Sequence, residues 1–284
     1  MKILLLGKNG QLGRAFQKQL RNESLRLFAY SKAELDVTDA SALESEMIRI
    51  GPDVTINCTA YTDVNAAEQN PESALSINYR AIKTLSALCT KIQSKLIHFS
   101  TDYVFDGLKK QPYHESDATN PLNEYGRSKL LGEQILKSTE VPWLLFRSSW
   151  IYGEGPNNFI SKLRLWAQRS DELRIVDDEI SVPTAADDLA SLVYQCIQAG
   201  LTGLYHLVNA GSASRYEFAM AIKKFSPDIS SSIVPAKLIE FNSGPTRPAY
   251  SVLDNSMAVE SLGTTPPHWI DALERHFLSM GKES

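Results

Sequence analysis

Tyr125 and Lys129 stand four positions apart in Tyr125-Gly126-Arg127-Ser128-Lys129, and Ser100-Thr101-Asp102-Tyr103-Val104-Phe105 precedes them in the chain. On a helix that spacing puts the phenol and the ammonium on one face. A cation beside a phenol favours the phenolate and lowers a pKa that starts near ~10. Together with the Thr101 hydroxyl, the pair can donate a proton to a carbonyl oxygen. A bare Tyr-x-x-x-Lys also occurs on ordinary surface helices, so its surroundings decide what it means.

The first of those surroundings is Gly7-Lys8-Asn9-Gly10-Gln11-Leu12-Gly13, a GxxGxxG run placed directly after an apolar segment, residues 2–6. Leu12, Ala15, Phe16 and Leu20 follow at helical spacing. The order is strand, glycine turn, helix, in which Gly7, Gly10 and Gly13 let backbone approach a pyrophosphate at a helix N-terminus. This predicts a dinucleotide site. NAD-selecting folds place an acid near the end of the second strand, but that stretch reads Phe28-Ala29-Tyr30-Ser31-Lys32. Without a carboxylate there, and with Lys32 at hand, NADP(H) is the expected cofactor. NAD(H) stays open because Glu34 and Asp36 follow closely and can take the ribose.

The elements that must hold these groups alternate. Residues 25–30, 53–58, 96–100 and 143–148 read as further strands, and 40–50 and 123–136 as helices. Pro71 opens a long helix to about Ile92, a favoured first-turn position for proline. The expected fold is α/β: a doubly wound parallel Rossmann-type sheet covered on both faces, with ligands outside the carboxyl ends of its strands. The glycine turn, residues 59–62, Thr101-Asp102 and Ser149-Trp150 all follow strand ends, so one crevice would collect them. After Trp150 the rhythm loosens. Residues 173–176 and 203–208 read as strands extending the sheet, with a helix over 187–199 between them. The expected organisation is a dinucleotide-binding core of 1–149 extended by 173–208, with a smaller C-terminal substrate-binding lobe from 150–172 and 209–284.

Composition narrows the partners. The chain has 284 residues, 43% hydrophobic and 22% charged, with a net charge of -4. Its Lys and Arg residues are dispersed, so no basic stripe offers itself to nucleic acid. The four apolar residues 3–6 are too few for a signal-peptide core or a membrane span, so a cytoplasmic protein with no membrane partner is expected. Cys58, Cys89 and Cys196 are odd in number, widely spaced and in apolar surroundings, which reads as reduced core thiols. The five histidines form no ligand pair, and His98 and His206 fall within strands.

The glycine motif, Ser100-Thr101-Asp102, and Tyr125 with Lys129, in that order, resemble the extended short-chain dehydrogenases and reductases. Longer runs narrow the resemblance: Asn57-Cys58-Thr59-Ala60-Tyr61-Thr62-Asp63-Val64, Pro121-Leu122-Asn123, Arg147-Ser148-Ser149-Trp150-Ile151-Tyr152-Gly153 and Gly155-Pro156-Asn157-Asn158-Phe159 are similar to the dTDP-4-dehydrorhamnose reductases. The resemblance covers nearly the whole chain and fades after about Ser212. It implies reduction of the C4 ketone of dTDP-4-dehydro-6-deoxy-L-mannose to dTDP-L-rhamnose, for cell-surface polysaccharides. It makes Tyr125 the proton donor, has Lys129 stabilise the phenolate and hold the nicotinamide ribose, and has Thr101 hydrogen-bond the same substrate oxygen. Asp102 and Trp150 would contact the sugar, and Asn158 and Arg247 the nucleotide diphosphate. Gly10, Gln11 and Leu12 would line the pyrophosphate, Asp36 and Val37 the adenine, and Ala60, Tyr61, Thr62 and Phe99 the remaining cofactor.

Sugar 4,6-dehydratases use a Thr-Asp-Glu run to eliminate water, and Tyr103 stands here where the Glu belongs. A 4-epimerase, or another nucleotide-sugar 4-ketoreductase, stays open. So does a non-catalytic subunit on the same fold, like the regulatory subunit of methionine adenosyltransferase. A binding module, however, has no need of the Thr101, Tyr125 and Lys129 set. Some family members are magnesium-linked dimers that use a glutamate in the first turns of the helix after the glycine loop. Arg14-Ala15-Phe16 occupies that place, so no metal is expected, and either a monomer or a homodimer is open.

Overall fold

The computed structural model describes residues 1–21, 24–241 and 244–280. Strand β1 (Lys2–Leu6) shows how the core is built. Side chains alternate along a strand, so Ile3 and Leu5 join one apolar cluster with α1 (Gln11–Leu20) and the helix Ala186–Gln198. Leu4 and Leu6 join another with α2 (Ala40–Ile50) and the helix Ala81–Ile92. All four side chains are fully buried, and each stabilises the fold by ~1.5–3 kcal/mol relative to exposure. A strand apolar on both faces belongs inside a sheet covered by helices on both sides.

β2 (Arg26–Tyr30), β3 (Val54–Asn57), β4 (Lys95–Thr101) and β5 (Trp143–Ser148) join β1 and the strand Gly203–His206 in one six-stranded sheet. Every pairing in it is parallel. The spatial order is Gly203–His206, β5, β4, β3, β1, β2, so the winding reverses between β1 and β3 and opens a crevice at their carboxyl ends. The doubly wound α/β fold expected from the sequence is the one observed. No helix among the described residues is long and apolar enough to cross a membrane.

One expected strand lies elsewhere. Residues 173–176 do not extend the sheet: Glu172–Val176 pairs in parallel with Ser232–Ala236. Its alternating burial turns Leu173 and Ile175 into a separate cluster with Leu163, Phe218, Trp269 and Leu273. That cluster is the core of the smaller lobe, which therefore includes 173–176. Residues 203–206 do extend the sheet, beside β5.

The three cysteines are free thiols. His98 and His206 are buried within their strands. Burial, and Arg147 beside it, push His206 down to about 3. Burial, then the Lys129 ammonium, also pushes His98 down. Arg147 on β5 donates to both carboxylate oxygens of Glu133 at 2.9 and 2.7 Å, and all three side chains of this Arg147, Glu133 and His206 group are within 1% of full burial. This pair fastens the helix Glu124–Lys137 to the sheet.

Candidate active site

The chain leaves β1 through Gly7 at φ 85°. A Cβ there would stand 3.1 Å from the backbone of Cys58 and Thr59, so the turn rests on the end of β3. Gly13 is tighter still: its Cβ would meet the Gly7 carbonyl oxygen at 2.2 Å, so only glycine lets α1 begin this close behind the turn. Gly10 caps α1 without a side-chain hydrogen bond, and the first turn carries no acid. First-turn amides have no intrahelical acceptor, and the helix dipole adds positive potential. This cradle fits a pyrophosphate held by the backbone of Gly10, Gln11 and Leu12. The Leu12 side chain itself packs into the core. Gln11 donates to the Asn157 carbonyl at 3.2 Å, and its buried Oε1 has no partner among the described residues.

Beyond β3, Asn78 positions the loop that carries Ala60, Tyr61 and Thr62. Its Oδ1 accepts from the Tyr61 amide at 2.9 Å, and its Nδ2 donates to the Tyr61 carbonyl at 3.0 Å and to Ser128 Oγ at 2.9 Å. Asn78 lies in a π-helical segment, Ser76–Arg80, between the α-helices Pro71–Leu75 and Ala81–Ile92. The extra residue of such a turn redirects a side chain, and π-segments cluster at functional sites. Helical spacing alone gives no hint of it. Of the expected adenine contacts, Asp36 accepts from the Thr38 amide and hydroxyl at 2.9 and 2.7 Å, and Val37 is buried in the core.

Thr101, Tyr125 and Lys129 come together between β4 and the helix Glu124–Lys137. Asn123 caps this helix, accepting from the Gly126 amide at 2.9 Å. A Cβ on Gly126 would stand 2.3 Å from the Tyr103 carbonyl oxygen, so glycine permits the close approach that brings Tyr125 beside the Thr101 hydroxyl. Lys129, 3% exposed, donates to the Phe99 carbonyl at 2.6 Å. The Phe99 ring points instead into the core, 5.9 Å from both Phe16 and Phe146.

The electrostatics differ from the sequence-based expectation of a lowered phenol pKa. Tyr125 is pushed up to about 12, by burial above all and then by the Asp102 carboxylate, against the nearby Thr101 hydroxyl. Lys129 is brought down to about 8 by burial, with Glu133 opposing. In this geometry the ammonium gives one of its three donors to a carbonyl, and the phenol keeps its proton at neutral pH. That suits a donor more than a base.

Asp102 is buried and accepts from Thr101 Oγ1 at 3.0 Å, Ser181 Oγ at 2.9 Å and Ser251 Oγ at 2.5 Å. Burial raises it to about 6 against those three hydroxyls and Arg215. Its oxygens thus tie β4 to two segments distant along the chain, at Ser181 and Ser251, rather than standing open to a sugar. Tyr103, 5.8 Å ring to ring from Tyr125, donates to Glu179 Oε1 at 3.3 Å. Burial, then Glu179, drives its phenol upward. Arg215 reaches Glu179 at 3.4 Å and lies over the Trp150 ring at 3.5 Å. Trp150 has a left-handed φ of 42°, uncommon for a bulky residue, and its buried indole N–H has no partner among the described residues.

The two expected diphosphate contacts divide. Asn158 caps the helix Phe159–Ala167: its Oδ1 accepts from the Ser161 amide at 2.9 Å and its Nδ2 donates to the Gly153 and Gly155 carbonyls at 2.8 and 3.0 Å. Those bonds use the amide within its own loop. Arg247 bonds Asn65 at 3.3 Å and acts electrostatically on Tyr103, so it borders the crevice. Glu179, Arg215, Ser181, Ser251 and Asn78 carry no local signal: Glu179, for one, ends the run Asp177-Asp178-Glu179, which looks like a solvated turn.

Comparison with known proteins agrees with this architecture. Residues 1–281 match the family model described as RmlD substrate binding domain. The spore coat polysaccharide biosynthesis protein SpsK of Bacillus subtilis is 35% identical, covering 97% of this chain and 96% of its own. A dTDP-4-dehydrorhamnose reductase of Aggregatibacter actinomycetemcomitans is 34% identical over 96% of this chain and 97% of its own. The crystal structure of the Bacillus anthracis dTDP-4-dehydrorhamnose reductase in complex with NADP superposes with a TM-score of 0.93 at 33% identity, covering 98% of this chain and 99% of that one. The match runs the length of the chain, which belongs to the dTDP-4-dehydrorhamnose reductase (RmlD) family.

Proposed function

We propose that this protein reduces the C4 ketone of dTDP-4-dehydro-6-deoxy-L-mannose to the alcohol of dTDP-L-rhamnose, with NADPH as the preferred donor, for polysaccharide synthesis. The observation that carries the reading is the Tyr125 phenol beside the Thr101 hydroxyl, on the same helix as a buried Lys129 whose ammonium donates to the Phe99 carbonyl of the strand that carries Thr101. When bound, NADPH supplies the hydride. Tyr125 protonates the oxygen that becomes the alkoxide, and Thr101 fixes the direction of that oxygen. Lys129 then stabilises the phenolate that Tyr125 leaves behind. The backbone of residues 10–12 is suited to hold the pyrophosphate, and residues 60–62, which follow β3, are suited to line the remaining cofactor. Trp150, with Arg215 behind it, forms a flat wall suited to the sugar and its nucleotide. Tyr103, at the position of a dehydratase acid, disfavours elimination.

The test supplies dTDP-4-dehydro-6-deoxy-L-mannose with NADPH and identifies the product by NMR while counting cofactor consumed. One NADPH oxidised per dTDP-L-rhamnose formed supports a reductase. Turnover without net cofactor use identifies an epimerase, and no turnover overturns the enzymatic reading.

A further inference from the structure

We propose that the Glu34 carboxylate occupies the site for the cofactor's 2′-phosphate, and so sets how strongly this protein prefers NADPH to NADH. The assignment rests on the dinucleotide reading above. The end of β2 is tied to the glycine turn, since the Gly7 and Lys8 amides both donate to the Tyr30 carbonyl, at 2.8 and 3.0 Å. The chain then turns at Ser31, whose carbonyl accepts from the Glu34 and Leu35 amides at 3.1 and 3.0 Å. That turn brings the Glu34 carboxylate onto three donors from two segments. Lys8 Nζ reaches its Oε1 at 2.7 Å, and the Ser31 amide and hydroxyl reach its Oε2 at 2.8 and 2.7 Å.

An ammonium, a backbone amide and a hydroxyl aimed at one anion are what a phosphate monoester needs. They lie at the end of the second strand, where this fold class places the adenosine ribose and its 2′ substituent. Lys8 belongs to the glycine motif itself, yet its ammonium reaches away from the turn toward β2. The anion now held there faces solvent: the Glu34 side chain is 48% exposed against 25% for Lys8. A 2′-phosphate can take the same donors if the carboxylate swings into solvent, whereas a 2′-hydroxyl has no such demand. Lys32, 76% exposed and in a long ion pair with Asp36 at 3.8 Å, adds a second cation close behind this turn. Glu34 thus acts as a competitor built into the chain, and its charge penalises NADPH selectively.

Calorimetric titration of the full chain with NADPH, NADH, 2′,5′-ADP and 5′-ADP tests this without turnover. Glu34→Gln should tighten NADPH and 2′,5′-ADP on the order of tenfold, as expected when a site need no longer be vacated, and leave NADH and 5′-ADP within about twofold. Lys8→Gln should weaken the first pair by about the same factor and spare the second. The assignment is overturned if Glu34→Gln leaves NADPH binding unchanged, or if it weakens NADH and 5′-ADP, which would make Glu34 the ribose ligand. Should the unaltered protein bind none of the four, the dinucleotide reading falls and this assignment with it. Loss of the Glu34 effect alone removes only the assignment.

Discussion

The Lys129 ammonium donates to the Phe99 carbonyl at 2.6 Å, while the Tyr125 phenol, one helical turn earlier, lies beside the hydroxyl of Thr101, two residues further along β4. Four residues of helix rise ~6 Å and two residues of strand ~6.6 Å, so the two contacts stay in register. This match explains why a Tyr-x-x-x-Lys spacing suits a strand that carries its hydroxyl two positions beyond the accepting carbonyl. It places the donor and the cation on one edge of the crevice.

Replacing Tyr125 by Phe removes the acidic proton and little else, since the ring keeps its edge contact with Tyr103. We expect kcat to fall ~100-fold or more, the usual worth of a positioned acid. NADPH affinity, read by fluorescence titration, should change less than about twofold. Normal turnover by this variant would refute the proton-transfer scheme.

The folded-state pKa of Lys129 is depressed to about 8, so the side chain is charged at neutral pH and discharges as pH rises through about 8. Its support for the phenolate disappears over that window. The kcat/KM profile, which reports the free enzyme, should therefore show a falling alkaline limb near pH 8. Lys129→Arg should move that limb upward. A profile unchanged by the substitution would assign the limb to another group.

Asp102 is raised to about 6 in the fold, above an ordinary value of 3.8. The native state therefore binds this proton more tightly than the unfolded chain. Its stabilising effect is complete below the unfolded pKa and is lost as pH rises through about 6. Asp102→Asn cannot titrate, so stability of the variant relative to the parent should rise between pH 4 and 7, by on the order of 2–3 kcal/mol. Urea unfolding at four pH values measures this, and a difference independent of pH would contradict it. The absolute effect on the three hydroxyl contacts cancels from the comparison.

Asn158 spends its amide on capping its own helix and bridging two loop carbonyls. Asn158→Ala should cost ~1 kcal/mol of stability, the usual loss for an N-cap, and lower Tm. KM for the dTDP-sugar should change less than about twofold. A raised KM with an unchanged Tm would return Asn158 to the diphosphate.

The sequence by itself determined what depends on local chemistry and short spacing. Glycine at positions 7, 10 and 13 after an apolar run identifies the turn, because only there do three residues without Cβ coincide with a strand-to-helix junction. Alternating apolar segments of two different periods determine the doubly wound sheet. The Tyr125 and Lys129 spacing specifies a shared helix face. What lay beyond the sequence depends on side chains distant along the chain meeting in space. Residues 173–176 have the alternation of a strand in either sheet, and only the competing lobe core around Phe218 and Trp269 decided which one they joined. Asp102 sits in a motif that suggests sugar binding, yet Ser181 and Ser251, 79 and 149 positions away, claim its oxygens. The phenol pKa moved upward rather than downward because burial and the partner chosen by Lys129 are properties of packing, which no spacing along one helix encodes.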